Sequence, residues 1–317
     1  YPTVYHRLDN ITLITNNVLP NAHFEEWTSA SYPDFYSLTN ATSAAISSAG
    51  NYWGGVSACK VTASAANGYL YISSNTFPRL LDLNDSTVTF KARALPQTAN
   101  DAWVQIYTKQ ADGTEQTTLK STTTNPIGEF TQLVLEDQEL DDNLVEVEIR
   151  FGVTTNAKYV IFDDARLESP TTIHEYVLPK DFRLGHLSQV YIQSSGKETY
   201  ACDDLRPQTW TWVDHKTYHD NTYEYLYLPD TFPANYRMRL VGNRPFTAFS
   251  SDSDTIVIDG EKTNLIVASA AAEFYQRLRG VTYIGDKDKF TEEATRWRKE
   301  TQRLFYSHGM PTLSERV

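Results

Sequence analysis

The chain has 317 residues, 40% hydrophobic and 21% charged, with 20 Tyr, 14 Phe and 6 Trp, enough apolar material for about two folded domains and too much for a disordered chain. Its net charge of −12 is uneven: residues 1–168 carry 10 Lys and Arg against 20 Asp and Glu, whereas residues 169–317 carry 18 against 20. An acidic first half disfavours direct nucleic-acid readout and attachment to anionic membranes, and no run of 18 apolar residues is present to span a bilayer.

Residues 1–16, with Ile11-Thr12-Leu13-Ile14, read as a leading strand or an arm. From 17 to 168 the pattern is β, with short alternating runs at 60–62, 87–94, 102–109, 130–135, 145–153 and 158–167. In the 145–153 run Val145, Val147, Ile149 and Phe151 share one face, while Glu146, Glu148 and Arg150 share the other, which predicts a strand with one buried side. Asp112-Gly113 is a two-residue hairpin signal. Several short strands with turn signals and no helix predict an antiparallel sandwich.

Pro170 and its small polar neighbours mark a junction, followed by strand-like runs at 189–193, 209–213, 223–228, 236–241 and 255–258. Tyr223, Tyr225 and Tyr227 line one face of a strand and Leu226 and Leu228 the other, so both faces are covered, by the same subunit or by a neighbour. Only the end of the chain changes period, with two antiparallel helices at about 262–280 and 286–308. The first groups Val267, Ala271, Phe274 and Leu278; the second groups Phe290, Ala294, Trp297, Thr301 and Leu304. The fold class is therefore mainly β with a C-terminal α+β domain: an antiparallel jelly-roll β-sandwich over 17–168, then a small β domain with two antiparallel helices over 169–317.

His215 and His219 have the spacing of a helical zinc pair, but flanking Trp210, Trp212, Tyr223 and Tyr225 favour strands, and no third ligand follows. No nucleophile elbow, phosphate loop or dinucleotide fingerprint occurs, so no enzyme is expected. Cys59 and Cys202 read as buried free thiols. Sugars pack their C–H faces on aromatic rings beside a few polar groups, which makes Tyr52 and Trp53, the alternating Trp103, Gln105 and Tyr107, and the pair Tyr69 and Tyr71 carbohydrate-binding candidates.

Two distant segments carry a resemblance. Asn17-Val18-Leu19-Pro20-Asn21-Ala22-His23-Phe24-Glu25-Glu26-Trp27 and Tyr159-Val160-Ile161-Phe162-Asp163-Asp164-Ala165-Arg166-Leu167 resemble the opening and closing strands of the jelly-roll carbohydrate-binding modules found beside xylanases. The resemblance implies that the first and last strands lie side by side with a structural Ca²⁺ near their ends. Glu25 and one of Asp163 or Asp164 would then be ligands, completed by backbone carbonyls.

The remainder resembles neck and tail ring proteins of tailed bacteriophages. The extended run from Tyr176-Val177-Leu178-Pro179, the stretch Asp254 to Asp259, an Ala-rich helix and a charged final helix carry that resemblance. It implies a virion structural protein: a homo-oligomeric ring contacting other neck or tail proteins, with the sandwich as an exterior decoration. Trp297, Phe305 and Tyr306 with Arg296, Lys299 and Arg303 would form the head-to-tail seam between copies. The alternative is a carbohydrate-binding accessory module of a secreted glycan-degrading system, with surface glycans as its partners.

Overall fold

The computed structural model describes residues 5–29, 31–117, 119–121, 124–170, 172–193, 210–220, 223–245, 260–280 and 287–307. The chain divides into two units, Tyr1–Phe246 and Thr247–Val317. The expected junction at Pro170 falls inside the first.

The strands in chain order are β1 (Tyr5–Ile14), β2 (Ser37–Thr39), β3 (Ala41–Ile46), β4 (Ala58–Ala63), β5 (Gly68–Ser73), β6 (Thr87–Pro96), β7 (Ala102–Gln110), β8 (Glu115–Gln116), β9 (Thr131–Glu139), β10 (Leu144–Val153) and β11 (Tyr159–Glu168). They continue with β12 (Glu175–Val177), β13 (Leu187–Gln193), β14 (Trp210–Val213), β15 (Lys216–His219), β16 (Glu224–Tyr227) and β17 (Arg237–Pro245). Two five-stranded antiparallel sheets, β2-β5-β10-β7-β8 and β3-β4-β11-β6-β9, form the sandwich, so the mainly β fold class is as expected.

Period-2 alternation fills the space between these sheets. Leu70, Ile72, Val104, Ile106, Ile149 and Phe151 from one sheet meet Val61, Phe90, Ala92, Leu133, Val160 and Phe162 from the other, all fully buried. Phe151 is the hub, edge-on to Phe24 at 5.5 Å, Phe90 at 5.4 Å and Phe162 at 5.6 Å. Each such pair adds about 0.5–1.5 kcal/mol beyond the area it buries. One expected face is corrected: Val145 is 50% exposed, because the β10–β7 register shifts between Leu144 and Glu146 and turns Leu144 inward instead. A bulge inserts one residue and so flips everything before it. The hairpin signal holds, with Gly113 at φ +91° joining β7 to β8.

The segments that open and close the sandwich are neighbours. Val18 N–H donates to the Leu167 carbonyl at 3.0 Å, and Asn17 bonds both Ala165 O and Leu167 N at 2.9 Å. β1 then leaves the sandwich to pair with β17, in a sheet of order β1-β17-β13-β14. A three-stranded sheet, β12-β16-β15, shares a second core with it, built on Leu178, Phe182, Val190, Ile192, Leu226, Leu228, Met238 and Leu240. The tyrosine stripe of β16 is covered within the chain: Tyr225 joins the sandwich core beneath the Arg79 guanidinium (4.1 Å), Tyr223 packs on Phe35 (5.1 Å), and Leu226 and Leu228 face the second core.

In the second unit α1 (Gly260–Gly280) and α2 (Lys287–Ser307) pack together through Ala268, Ala272, Ala294 and Leu304, with Tyr275 stacked on Phe290 at 6.3 Å. The face expected for α2 is the packed one. For α1 it is not: Val267 is 54% and Phe274 58% exposed, because the small Ala268 and Ala272 faces allow closer approach of the helices. The 255–258 run, Cys202 and the side chains of Phe305 and Tyr306 lie outside the described residues.

Candidate functional site

Alternation along β7 sends Val104 and Ile106 into the core and Trp103, Gln105 and Tyr107 to the outer face of its sheet. Their neighbours there come from β10 and β5. Gly152 stands opposite both Trp103 and Tyr69, Arg150 opposite Gln105 and Tyr71, and Glu148 opposite Tyr107 and Ser73. Gly152 leaves the gap that the Trp103 indole fills, and the ring reaches across to Tyr69 at 6.0 Å, itself 5.7 Å from Tyr71.

Arg150 ties the face together. Its guanidinium lies 4.0 Å over Tyr107 and 4.9 Å over Tyr69, donates to Glu148 Oε2 at 2.6 Å from two nitrogens, and reaches Gln105 Oε1 at 3.3 Å. A planar cation can stack and hydrogen-bond at once, which lysine cannot. Gln105 donates in turn to the Thr117 carbonyl at 2.7 Å. Lys120 Nζ sits 3.9 Å over Trp103, and burial there pushes its ammonium below its ordinary pKa. Burial, with Glu115 and Glu146 nearby, pushes the Tyr107 hydroxyl up to about 12, and burial raises Glu148 against the opposing Arg150. The Trp103 indole N–H has no partner among the described residues. Tyr69 and Tyr71 are half-buried, so they form the accessible part of this stiff aromatic and polar face.

The carboxylates expected to hold calcium lie at the sandwich end and do meet, around loop 52–57. Asp163 Oδ2 accepts N–H bonds from Trp53 (2.6 Å) and Gly54 (2.9 Å), and Oδ1 accepts the Asp164 N–H at 2.7 Å. Glu25 Oε1 accepts from Val56 (2.7 Å) and Ser57 (3.1 Å), and Oε2 accepts the Ser57 hydroxyl at 3.1 Å. Asp164, turned aside by a bulge at φ +47°, is held by Arg166 through bonds of 3.0 and 3.1 Å. The His23 ring stands between the aspartates, 3.8 Å from Asp163 and 3.9 Å from Asp164. Burial pulls its pKa down, but the two carboxylates outweigh burial and hold it above the ordinary value.

A calcium shell needs six to eight oxygens converging at about 2.3–2.6 Å. Here the carboxylate oxygens already accept from amide N–H groups, a hydroxyl and a guanidinium, with the His23 ring 3.8–3.9 Å from the aspartates. Among the described residues no group of three or more His, Cys, Asp or Glu is arranged to hold a metal. The donor set does not fit the ion that the resemblance implied. His215 lies between β14 and β15 and His219 at the end of β15, and among the described residues they form no metal-holding group.

Trp53 itself is separate from the β7 face and 45% exposed, with the Arg93 guanidinium 4.2 Å from its ring. Tyr52 is half-buried beside it and joins neither aromatic group. On α2, Arg296 pairs with Glu293 at 3.5 Å and Arg303 with Glu300 at 2.6 Å, both within the helix; Lys299 is exposed and Trp297 half-buried. A groove of about 780 Å³ follows the seam between the sandwich and residues 172–181. Two of its charged groups are paired, Arg79 with Glu175 and Glu26 with Arg183 (3.4 Å).

Trp103, Gln105, Tyr107, Tyr69 and Tyr71, candidates by their alternation in the sequence, do share this face; Arg150, Glu148, Lys120 and Gly152 join them without having been candidates. The available signal was the polar alternation of β10 itself, whose Glu148 and Arg150 read only as a solvated side.

Neither a family model nor a curated protein matches the chain. Among solved structures it is similar to the C-terminal family 22 carbohydrate binding module of Clostridium thermocellum Xyn10B, with 13% identity and a TM-score of 0.40 over 50% of this chain and 96% of that one. It is also similar to the CBM22-1 xylan-binding domain of Paenibacillus barcinonensis Xyn10C, with 11% identity and a TM-score of 0.39 over 53% and 99%. The enzymatically active domain of bacteriophage CBA120 tailspike protein 4 matches at 13% identity and a TM-score of 0.34, over 49% of this chain and 21% of that one.

Proposed function

We propose that the chain is a non-catalytic glycan-binding protein that holds a sugar chain across the outer face of the β2-β5-β10-β7-β8 sheet. One observation carries the reading: Tyr69, Tyr71, Trp103 and Tyr107, from two strands, are locked side by side by Arg150 on the strand between them. Aromatic rings fixed before binding lose little entropy on contact with a flat C–H surface, which the half-buried Tyr69 and Tyr71 would meet, with the second carboxylate oxygen of Glu148 as a hydroxyl partner. Titration of the full chain against soluble plant and bacterial-surface polysaccharides tests it. Binding should occur for at least one class and fall about tenfold or more in Tyr69→Ala and Tyr71→Ala, each with unchanged melting. Absence of binding to every class would reject the proposal.

A second reading makes the chain a virion structural protein of a tailed phage, assembling as a ring and displaying the sandwich outside. The exposed Val267 and Phe274 on α1 favour it, since a two-helix unit with an uncovered apolar stripe suits association. Sedimentation of the full chain beside Phe274→Asp separates the outcomes: a ring-former shows a closed oligomer that the substitution disperses, whereas an accessory module stays monomeric.

A further inference from the structure

The carboxylates that do not fit calcium have another use. Between them, Asp163 and Glu25 accept the backbone N–H groups of Trp53, Gly54, Val56 and Ser57 and the Ser57 hydroxyl, five donors from one short loop. Asp163 is fully buried, so its bonds to Trp53 and Gly54 are shielded from water and strong. The loop also closes tightly on its anchors. Gly55 sits at φ +68°, and a Cβ there would stand 1.8 Å from Glu25 Oε1; one on Gly54 would meet the His23 ring at 3.2 Å. A loop so tied cannot swing, and it presents the Trp53 indole to solvent together with Val56.

That indole is built as a platform. Arg93 stacks on it at 4.2 Å, and Phe130 meets it edge-on at 6.1 Å. Yet Trp53 keeps 45% of its surface exposed. Arg93 is half-buried, and its Nε–H has no hydrogen-bond partner among the described residues, which leaves a donor group beside the ring. One exposed aromatic face with one guanidinium beside it matches a single pyranose: the C–H face stacks on the indole, and Arg93 donates to ring hydroxyls or to a carboxylate.

We infer that Trp53 and Arg93 form a second sugar-binding site that takes one pyranose unit, with Glu25 and Asp163 as the residues that position it. The site shares no residue with the β7 face and stands independently of it.

The experiment uses the full chain labelled with 5-fluorotryptophan, the signals being assigned by Trp53→Phe and Trp103→Phe. The probes are the methyl pyranosides of glucose, galactose and xylose and methyl glucuronide, then the corresponding oligosaccharides. The Trp53 fluorine signal should shift in a saturable way with at least one single-ring probe. Glu25→Ala should weaken that response by about fivefold or more, Glu25→Gln should retain most of it because its carbonyl still accepts the loop N–H groups, and the Trp103 signal should be unaffected by either. A Trp53 signal that no probe moves overturns the site. If Trp103 alone responds, this inference fails while the proposed β7 face survives; if Trp53 alone responds, the reverse holds. Equal responses in Glu25→Ala and wild type would overturn the positioning role.

Discussion

The Trp103 indole lies across the backbone of Gly152 so closely that a Cβ on the glycine would stand 2.0 Å from two ring carbons. The ring is rigid and already packed against Tyr69 and Lys120, so it cannot step aside without breaking the face. Gly152→Ala should therefore cost about 1–3 kcal/mol in urea denaturation and abolish glycan binding at the β7 face together. Full stability in that variant would mean that the indole is free to move.

Arg150→Lys should be far from conservative. Lysine can keep the charge near Glu148, but it cannot hold Glu148 and Gln105 while lying flat on Tyr107. A loss of about 1–3 kcal/mol is expected in chemical denaturation, with weaker glycan binding at unchanged site chemistry elsewhere.

Stability should be indifferent to divalent cations. Asp163, Asp164 and Glu25 already have amide, guanidinium and hydroxyl donors, so neither EDTA nor millimolar Ca²⁺ should shift the melting temperature. Asp163→Ala should instead cost about 3 kcal/mol or more, since it leaves the buried N–H groups of Trp53 and Gly54 without acceptors. A rise in melting temperature on adding calcium would show that the donors rearrange around an ion.

Alkaline conditions should loosen the first unit. The Tyr176 hydroxyl accepts the Asn16 N–H at 3.0 Å and donates to the Ile173 carbonyl at 2.9 Å, and burial pushes its pKa up to about 12. The folded state favours the neutral phenol, so its contribution is fully present below about pH 10, the ordinary tyrosine value, and is lost as pH rises from there through 12. Stability measured from pH 9 to 12 should fall over that window, and Tyr176→Phe should flatten the fall at a cost of about 1 kcal/mol near neutral pH.

Local pattern determined much of this protein. Period-2 alternation located β6, β7, β10 and β11 and the partition of Trp103, Gln105 and Tyr107 from Val104 and Ile106, because side-chain direction in a strand is a property of the backbone alone. The end motifs likewise brought Asn17 beside Leu167. What they could not carry was which outward residues share a neighbourhood. Arg150 becomes the centre of the aromatic face only because β10 lies between β5 and β7, and strand order is fixed by the packing of the two sheets. The same holds at the sandwich end. Sequence placed Glu25, Asp163 and Asp164 together, but whether a cation or a loop would answer their charge depended on the Trp53 to Ser57 amides, about 30 residues from Glu25 and more than 100 from Asp163 in the chain. Burial decides which acceptors must be satisfied, and only the closed tertiary structure sets what is near enough to satisfy them.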